Sequence, residues 1–499
     1  MNPPRSADVV TTTRPANGRS SHTVRRRSEV ALADERAVGN RVALARARPS
    51  ATVSLSLRSL VGADADVLAD RDFRLLLLAS LISPMGASVV SPVVESLAGP
   101  YGVSATEVAL LLSAFTAPGI VCIPLSGVLA DRYGRKPVLS AGLALFGLAG
   151  VALTLTTDFR VALTLTTDFR VALALRLLQG VGYTGIGPIL ITATGDLFSG
   201  ARESTAQGVR FTVVGVSLTV FPFLAGLLVA VAWQFPFALY AAALPVAAVV
   251  WLLFEESADL DDEESAGGDE PPADDGATDA DEESPGGVRA LLALASRPRV
   301  AATLLGRAIP GFLWFAFLTY NSIVVVRLLG GSPGAAGALV AVASVSSAAA
   351  TTQAGRLTAR FGRPLPTFAA LVVGAAGLAG LALAPSVPVA LAAGVPVGAG
   401  FAVSLTLYRS AITGLAADEL RGGLVSLGES VGRVGSTGAP VAMGAVVGLL
   451  TDPLGYDAAV RSVSLAVAAG VVVAGGALIA VAERGAGSAT GPAPTAGDD

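Results

Sequence analysis

Between residues 74 and 482 the chain alternates long apolar runs with short polar breaks, and each run has the length of a membrane helix. Crossing ~30 Å of hydrocarbon takes about 20 helical residues. Lipid offers no partner for an unpaired peptide group, so helices are expected and open strands are not. The pattern predicts an all-α membrane protein with twelve spans at 74–98, 107–130, 137–157, 171–197, 205–231, 234–254, 300–326, 334–354, 365–384, 388–414, 421–449 and 457–482. Ser104 and Glu107 stand at capping-box spacing ahead of the second span. The turn after that span reads Gly127-Val-Leu-Ala-Asp131-Arg132-Tyr-Gly134-Arg135-Lys136-Pro137, and Gly355-Arg-Leu-Thr-Ala359-Arg-Phe-Gly362-Arg-Pro364 echoes it 228 positions later. A basic, glycine-punctuated turn at matching places marks two related six-helix bundles, an arrangement found mostly in transporters.

Composition agrees. With 53% hydrophobic and 14% charged residues and a mean hydropathy of +0.66, the chain carries more apolar surface than a soluble domain can bury. Its one cysteine, Cys122, lies in an apolar run and its one histidine, His22, in a polar leader. That excludes an intrachain disulfide and leaves the bundle without histidine for a relay or a metal site. No metal cluster, nucleophile setting or phosphate-cradling loop is present, so neither an enzyme nor a cofactor is expected, and no nucleic-acid partner.

Residues 1–70 are polar and arginine-rich and read as a disordered extension, either an arm on anionic headgroups or an idle tail. The halves are expected at 71–254 and 299–484, with a tail at 485–499. The acidic linker 255–298 joins them: Glu255 to Gly287 holds fifteen acidic residues and no basic one, as a solvated tether would. Arg132, Arg135, Lys136, Arg202, Arg210, Arg289, Arg297, Arg299, Arg356, Arg360 and Arg363 fall on one side, whereas the turns near Pro100, Trp233 and Pro385 carry none. That asymmetry leads to the expectation that both termini and the linker face the cytoplasm, and the plasma membrane is the expected location. A perfect ten-residue tandem repeat fills 151–170. It reads as an insertion without function, since loops lengthen at small entropic cost.

The block Gly127 to Pro137 resembles the signature loop of the major facilitator superfamily, and the resemblance extends over about 75–481. Gly127 and Gly134 would allow close helix approach and a tight turn. The resemblance implies a conformational latch in which Asp131 caps a helix of the second half, the eleventh, beside Arg132, while Arg135 pairs with Asp196 at the end of span four. The second copy has Ala359 in place of the aspartate. Arg176-Leu-Leu-Gln179-Gly180-Val-Gly182 is similar to that family's arginine motif of proton-coupled export, which implies that Arg176, with Gln179, biases protonation of a carboxylate. Glu95 is the nearest candidate. An arginine within a span is a functional candidate by default, with snorkelling to the interface as the alternative. Pro222 with Gly226 in span five, and Pro440 with Gly444 in span eleven, align at a spacing of 218 as paired kinks.

Glu429 and Arg433, one turn apart, can neutralise each other or serve coupling. Arg307 has no partner within its own span, so it points inward or reaches the interface. A substrate cavity is expected between spans one, four, seven and ten, where the family binds substrate, lined by Met85, Ser88, Tyr183, Trp314, Phe317, Phe401 and Ser404, with Arg307 near. So apolar a lining suits an amphiphilic solute. The reading is a monomeric secondary transporter in lipid that exports small amphiphilic or drug-like compounds in exchange for protons. Uptake or uniport of a sugar or organic anion is one alternative; a membrane sensor that does not transport is another.

Overall fold

The computed structural model describes residues 65–155, 169–255, 285–415 and 418–487. Eleven helices among them are long and apolar enough to cross a membrane: α1 (Arg71–Tyr101), α2 (Ala105–Tyr133), α3 (Arg135–Leu155), α5 (Gly200–Leu228), α6 (Phe235–Leu253), α7 (Pro298–Leu328), α8 (Pro333–Thr351), α9 (Pro364–Ala382), α10 (Val387–Thr413), α11 (Leu420–Leu454) and α12 (Tyr456–Arg484). The remaining span, α4, is two pieces, Phe169–Thr184 and Gly187–Leu197, broken just before Pro188. Proline has no N–H to donate and crowds the preceding turn, so the helix restarts there. The capping box at α2 forms, with Ser104 and Glu107 each bonding the other's backbone N–H.

Consecutive helices alternate in direction. The turns carrying Arg132, Arg135, Lys136, Arg202, Arg356, Arg360 and Arg363 therefore lie on one end of the bundle, here the basic face, opposite a far face. Gly134 (φ +90°) and Gly362 (φ +71°) turn the chain at the two related loops, where a side chain would be strained. Gly127 departs from expectation: a Cβ there would meet nothing within 4 Å, so no helix closes on it.

Backbone contacts repeat between the halves. Gly182 of α4 sits against the carbonyl of Gly142 of α3, and Gly400 of α10 sits against that of Ala370 of α9. Small residues let helix backbones meet where lipid supplies no hydrophobic drive. Leu125, Leu129, Tyr133 and Leu145 line a groove of about 380 Å³ on α2 to α4, and Gln353, Leu357, Phe361 and Val373, each 228 positions on, line one of about 500 Å³ on α8 to α10. Past the tandem repeat the offset becomes 218, as Gly182 and Gly400 show. The difference equals one ten-residue unit, which marks the second copy as an insertion into an older duplicated frame. Its residues 156–168 lie outside the described residues.

Two boundaries shift. Residues 65–69, expected in the disordered extension, form a 3₁₀ turn whose Asp66 pairs with Arg202 at 2.8 Å. The end of the expected linker is a helix, Pro285–Ala295, with Leu291 against Gly423 of α11. An apolar stripe beginning at Leu291 gives that segment a face to bury, so it docks on the bundle.

The halves meet at the far face and the midplane. Ser91 Oγ donates to the Leu318 carbonyl (2.8 Å) and accepts from Asn321 Nδ2 (2.6 Å). Ser113 donates to the Thr437 carbonyl, also at 2.8 Å, and Thr116 meets the Thr437 hydroxyl. Along α5 and α8 the contact is reciprocal: Gly226 faces the Pro333 carbonyl and Gly337 faces the Pro222 carbonyl.

Candidate functional site

Four polar clusters lie within or at the ends of this frame. The first surrounds Arg176, which has no exposed surface. Its Nε donates to the Leu111 carbonyl (3.1 Å), one Nη to Tyr240 Oη (3.1 Å) and to Gln179, and the other to the Gly86 carbonyl (2.6 Å), with the Phe115 ring beneath it at 4.7 Å. Snorkelling is thereby excluded. The partners belong to α1, α2, α4 and α6, and none is a carboxylate. Glu95 does not serve it: nine residues separate Glu95 from Gly86 on α1, about 13 Å of helix.

Glu95 belongs to a second cluster at the far face. It lies 3.9 Å from Arg327 of α7, which also holds Asp457 of α12 at 3.0 Å and covers the Tyr456 ring. This ion pair ties one half to the other.

A third cluster occupies the basic-face side of the membrane region. Glu429 of α11 accepts from Arg307 of α7 (3.0 Å) and, through both oxygens, from Arg409 of α10 (2.8 and 3.1 Å). The expected pairing of Glu429 with Arg433 is corrected: Arg433 points across to the first half, its guanidinium 5.3 Å from the Tyr183 ring and packed on Gly119. Arg307 takes the inward course, with 5% of its surface exposed. Sequence reasoning missed two members. Arg409 lay within an apolar span without being singled out, though a charge there is the available signal. Arg210 was counted among turn residues, yet it is 4% exposed in α5, bonded to Gln207 and stacked on Phe211. Arg433 of α11 over the Tyr183 ring of α4, with Arg210 and Arg409 nearby, makes the cluster span the two halves.

At the basic face, Arg135 bridges Asp131 of α2 and Asp196 of α4, the latter at 3.1 Å. Arg132 lies over the neighbouring Tyr133 ring. The expected capping of α11 by Asp131 would involve 416–419, whose side chains lie outside the described residues.

The expected cavity lining is mostly core. Met85, Phe317 and Ser404 have no exposed surface, and the hydroxyls of Ser88 and Ser404 bond carbonyls of their own helices. Trp314 is stacked on Phe401 at 4.6 Å and tilted against Phe317 at 5.4 Å, an aromatic wall across α7 and α10. What stays open is the third cluster: 51% of the Arg409 side chain and 26% of that of Glu429 remain exposed, on the side away from the contacts that join the halves. This partly exposed cluster, here the vestibule, lies nearer the basic face than the Ser91 and Gly226 contacts that join the halves at the far face, and no group in it is set up to make or break covalent bonds.

Residues 76–440 match the family model of the Major Facilitator Superfamily. The bacillibactin exporter of Bacillus subtilis (strain 168) is 31% identical over 159 residues, 32% of this chain and 38% of that protein. The class H tetracycline resistance protein of Pasteurella multocida is 27% identical over 184 residues, 36% and 43% of the respective chains. The chain thus spans less than half the length of these relatives. Among solved structures, a bacterial homolog of the human lysosomal transporter Spinster, in an inward-facing and unoccupied conformation, superposes with a TM-score of 0.65 at 17% identity, covering 88% of this chain and all of that one.

Proposed function

Because the chain belongs to the Major Facilitator Superfamily, we propose that this transporter exports small amphiphilic, drug-like compounds in exchange for protons, as a monomer in the plasma membrane with its basic face and termini in the cytoplasm. One observation carries the reading: Ser91, Asn321, Gly226 and Gly337 join the halves at the far face, while Arg409 and Glu429 stay partly exposed nearer the basic face. That is the geometry of a transporter loading from inside, and rocking the halves about the midplane would expose the same residues to the far side. The names of the Bacillus and Pasteurella relatives, an exporter and a resistance protein, favour the outward direction.

In this reading Arg135 with Asp131 and Asp196 steadies the basic-face turn. Arg176 and Gln179 fix α4 against α1, α2 and α6 as a positioning unit. The coupling proton resides on Glu95 or Glu429, two carboxylates that lie against arginines of other helices. The test uses inside-out vesicles with an imposed pH gradient and a panel of cationic, neutral and anionic amphiphilic dyes. At least one dye should accumulate only when this chain is present and the gradient stands. Accumulation that ignores the gradient contradicts coupling, and a panel without any flux contradicts transport.

A further inference from the structure

Arg210, Arg307, Arg409 and Arg433 of α5, α7, α10 and α11 gather around Tyr183 and Glu429, and among the described residues Glu429 is the only carboxylate paired with any of them. Both oxygens of Glu429 are already engaged by Arg307 and Arg409. Arg433 has the face of Tyr183, and Arg210 has a glutamine and the face of Phe211. Among the described residues, four guanidiniums against one carboxylate leave a surplus of three positive charges inside a membrane protein. Two of these side chains also keep spare donors: Arg210 Nη2 and Arg307 Nε are buried and without a hydrogen-bond partner among the described residues, in residues 4% and 5% exposed. Charge at membrane depth is costly and marks a functional pathway. A buried donor left unpaired adds to that cost. Such an excess is explained if something negative completes it during the cycle.

We propose that the vestibule is an anion site, and that the exported solute carries a carboxylate, sulfonate or similar group held by Arg210, Arg409 and Arg433, with its apolar body beside the Tyr183 ring. The proposal rests on the export reading above and narrows its substrate class. Guanidinium forks match such oxyanions in shape as well as charge. The arginines belong to both halves, Arg210 to the first and Arg307, Arg409 and Arg433 to the second, so a bound anion lies where rocking changes access. The half-buried Tyr183 ring, held against the buried Phe115 at 5.1 Å, is an aromatic group beside the charge. A cation would instead add to the like charge already present and is disfavoured.

The test is equilibrium binding to the full chain in maltoside micelles, with protein-free micelles subtracted, using 2-naphthalenesulfonate and its cationic counterpart 2-naphthylmethylammonium. The sulfonate should bind saturably and the ammonium at least about tenfold more weakly. Arg210→Gln should weaken the sulfonate by about tenfold and leave the ammonium unchanged, while Arg210→Lys, which keeps the charge, should retain most of the affinity. Monodisperse elution of each variant shows that it folds. Equal or tighter binding of the ammonium, no saturable sulfonate binding, or an Arg210→Gln chain that binds as before overturns the proposal. Displacement of the sulfonate by equimolar phosphatidylglycerol overturns the assignment to a solute in favour of a lipid headgroup. The dye-panel flux is read separately: sulfonate binding without flux would defeat transport and keep the anion site, and flux of cations without sulfonate binding would do the reverse.

Discussion

A guanidinium sealed among four helices must satisfy its N–H donors from the protein, and Arg176 does so with two backbone carbonyls, a glutamine and a tyrosine. Removing it strands those acceptors and opens a hole where α1, α2, α4 and α6 meet. Leaving a buried polar group unsatisfied costs about 1–3 kcal/mol, and the cavity adds to it. Arg176→Ala should therefore lower the melting temperature of the purified chain by many degrees, read by tryptophan fluorescence. A variant that melts like the parent would show that this network contributes nothing to the fold. The sequence marked Arg176 and Gln179 as a unit but misplaced the carboxylate, because Glu95 and Arg176 share an end of the bundle on paper and are separated by over two turns of α1. Glu429 and Arg433 failed for a related reason. Helical spacing reports which side chains can be neighbours on one helix; it is silent on stronger partners from α7 and α10, which supplied Arg307 and Arg409.

At the scale of elements, the twelve-span pattern was legible because lipid fixes the length of each helix and the two glycine turns fix its reversals. Breaks within helices were less so: α4 parts before Pro188, and α1 has an irregular stretch around Pro84 and Pro92 that hydropathy alone does not show. Glycine meant different things at different places. Gly127 belongs to the most conspicuous motif and touches nothing, whereas Gly226, in a degenerate one, sits backbone to backbone against Pro333. Gly226→Val should push α5 from α8 and bias the far face open. With Cys122 replaced by serine, a Ser91→Cys reporter, buried between α1 and α7 in the closed form, should react about tenfold faster with an impermeant maleimide applied from the far face, as a bias of about 1.4 kcal/mol would give. An unchanged rate would mean that this crossing does not hold the far face shut.

For the whole molecule, the surplus of arginine in the vestibule and the proposed outward direction of transport support each other. Carrying a negative charge outward runs with an inside-negative potential worth ~2.3 kcal/mol per 100 mV, so an anionic solute needs less work from the proton gradient than a cation does. The charge pattern along the chain hid this, because Arg210 sits close enough in sequence to Arg202 to pass for a turn residue. Only folding, which buries one and exposes the other, separates them.

The central claim is that two six-helix halves rock about a shared site, and distances across both faces test it together. With Cys122 replaced by serine, spin labels at Tyr133 and Phe361 span the basic face, and labels at Val231 and Leu454 span the far face; all four positions are exposed. Pulsed electron paramagnetic resonance in lipid nanodiscs, with and without a transported solute, should show the first distance shortening as the second lengthens. Both distances moving together, or neither moving while flux persists, would contradict the account.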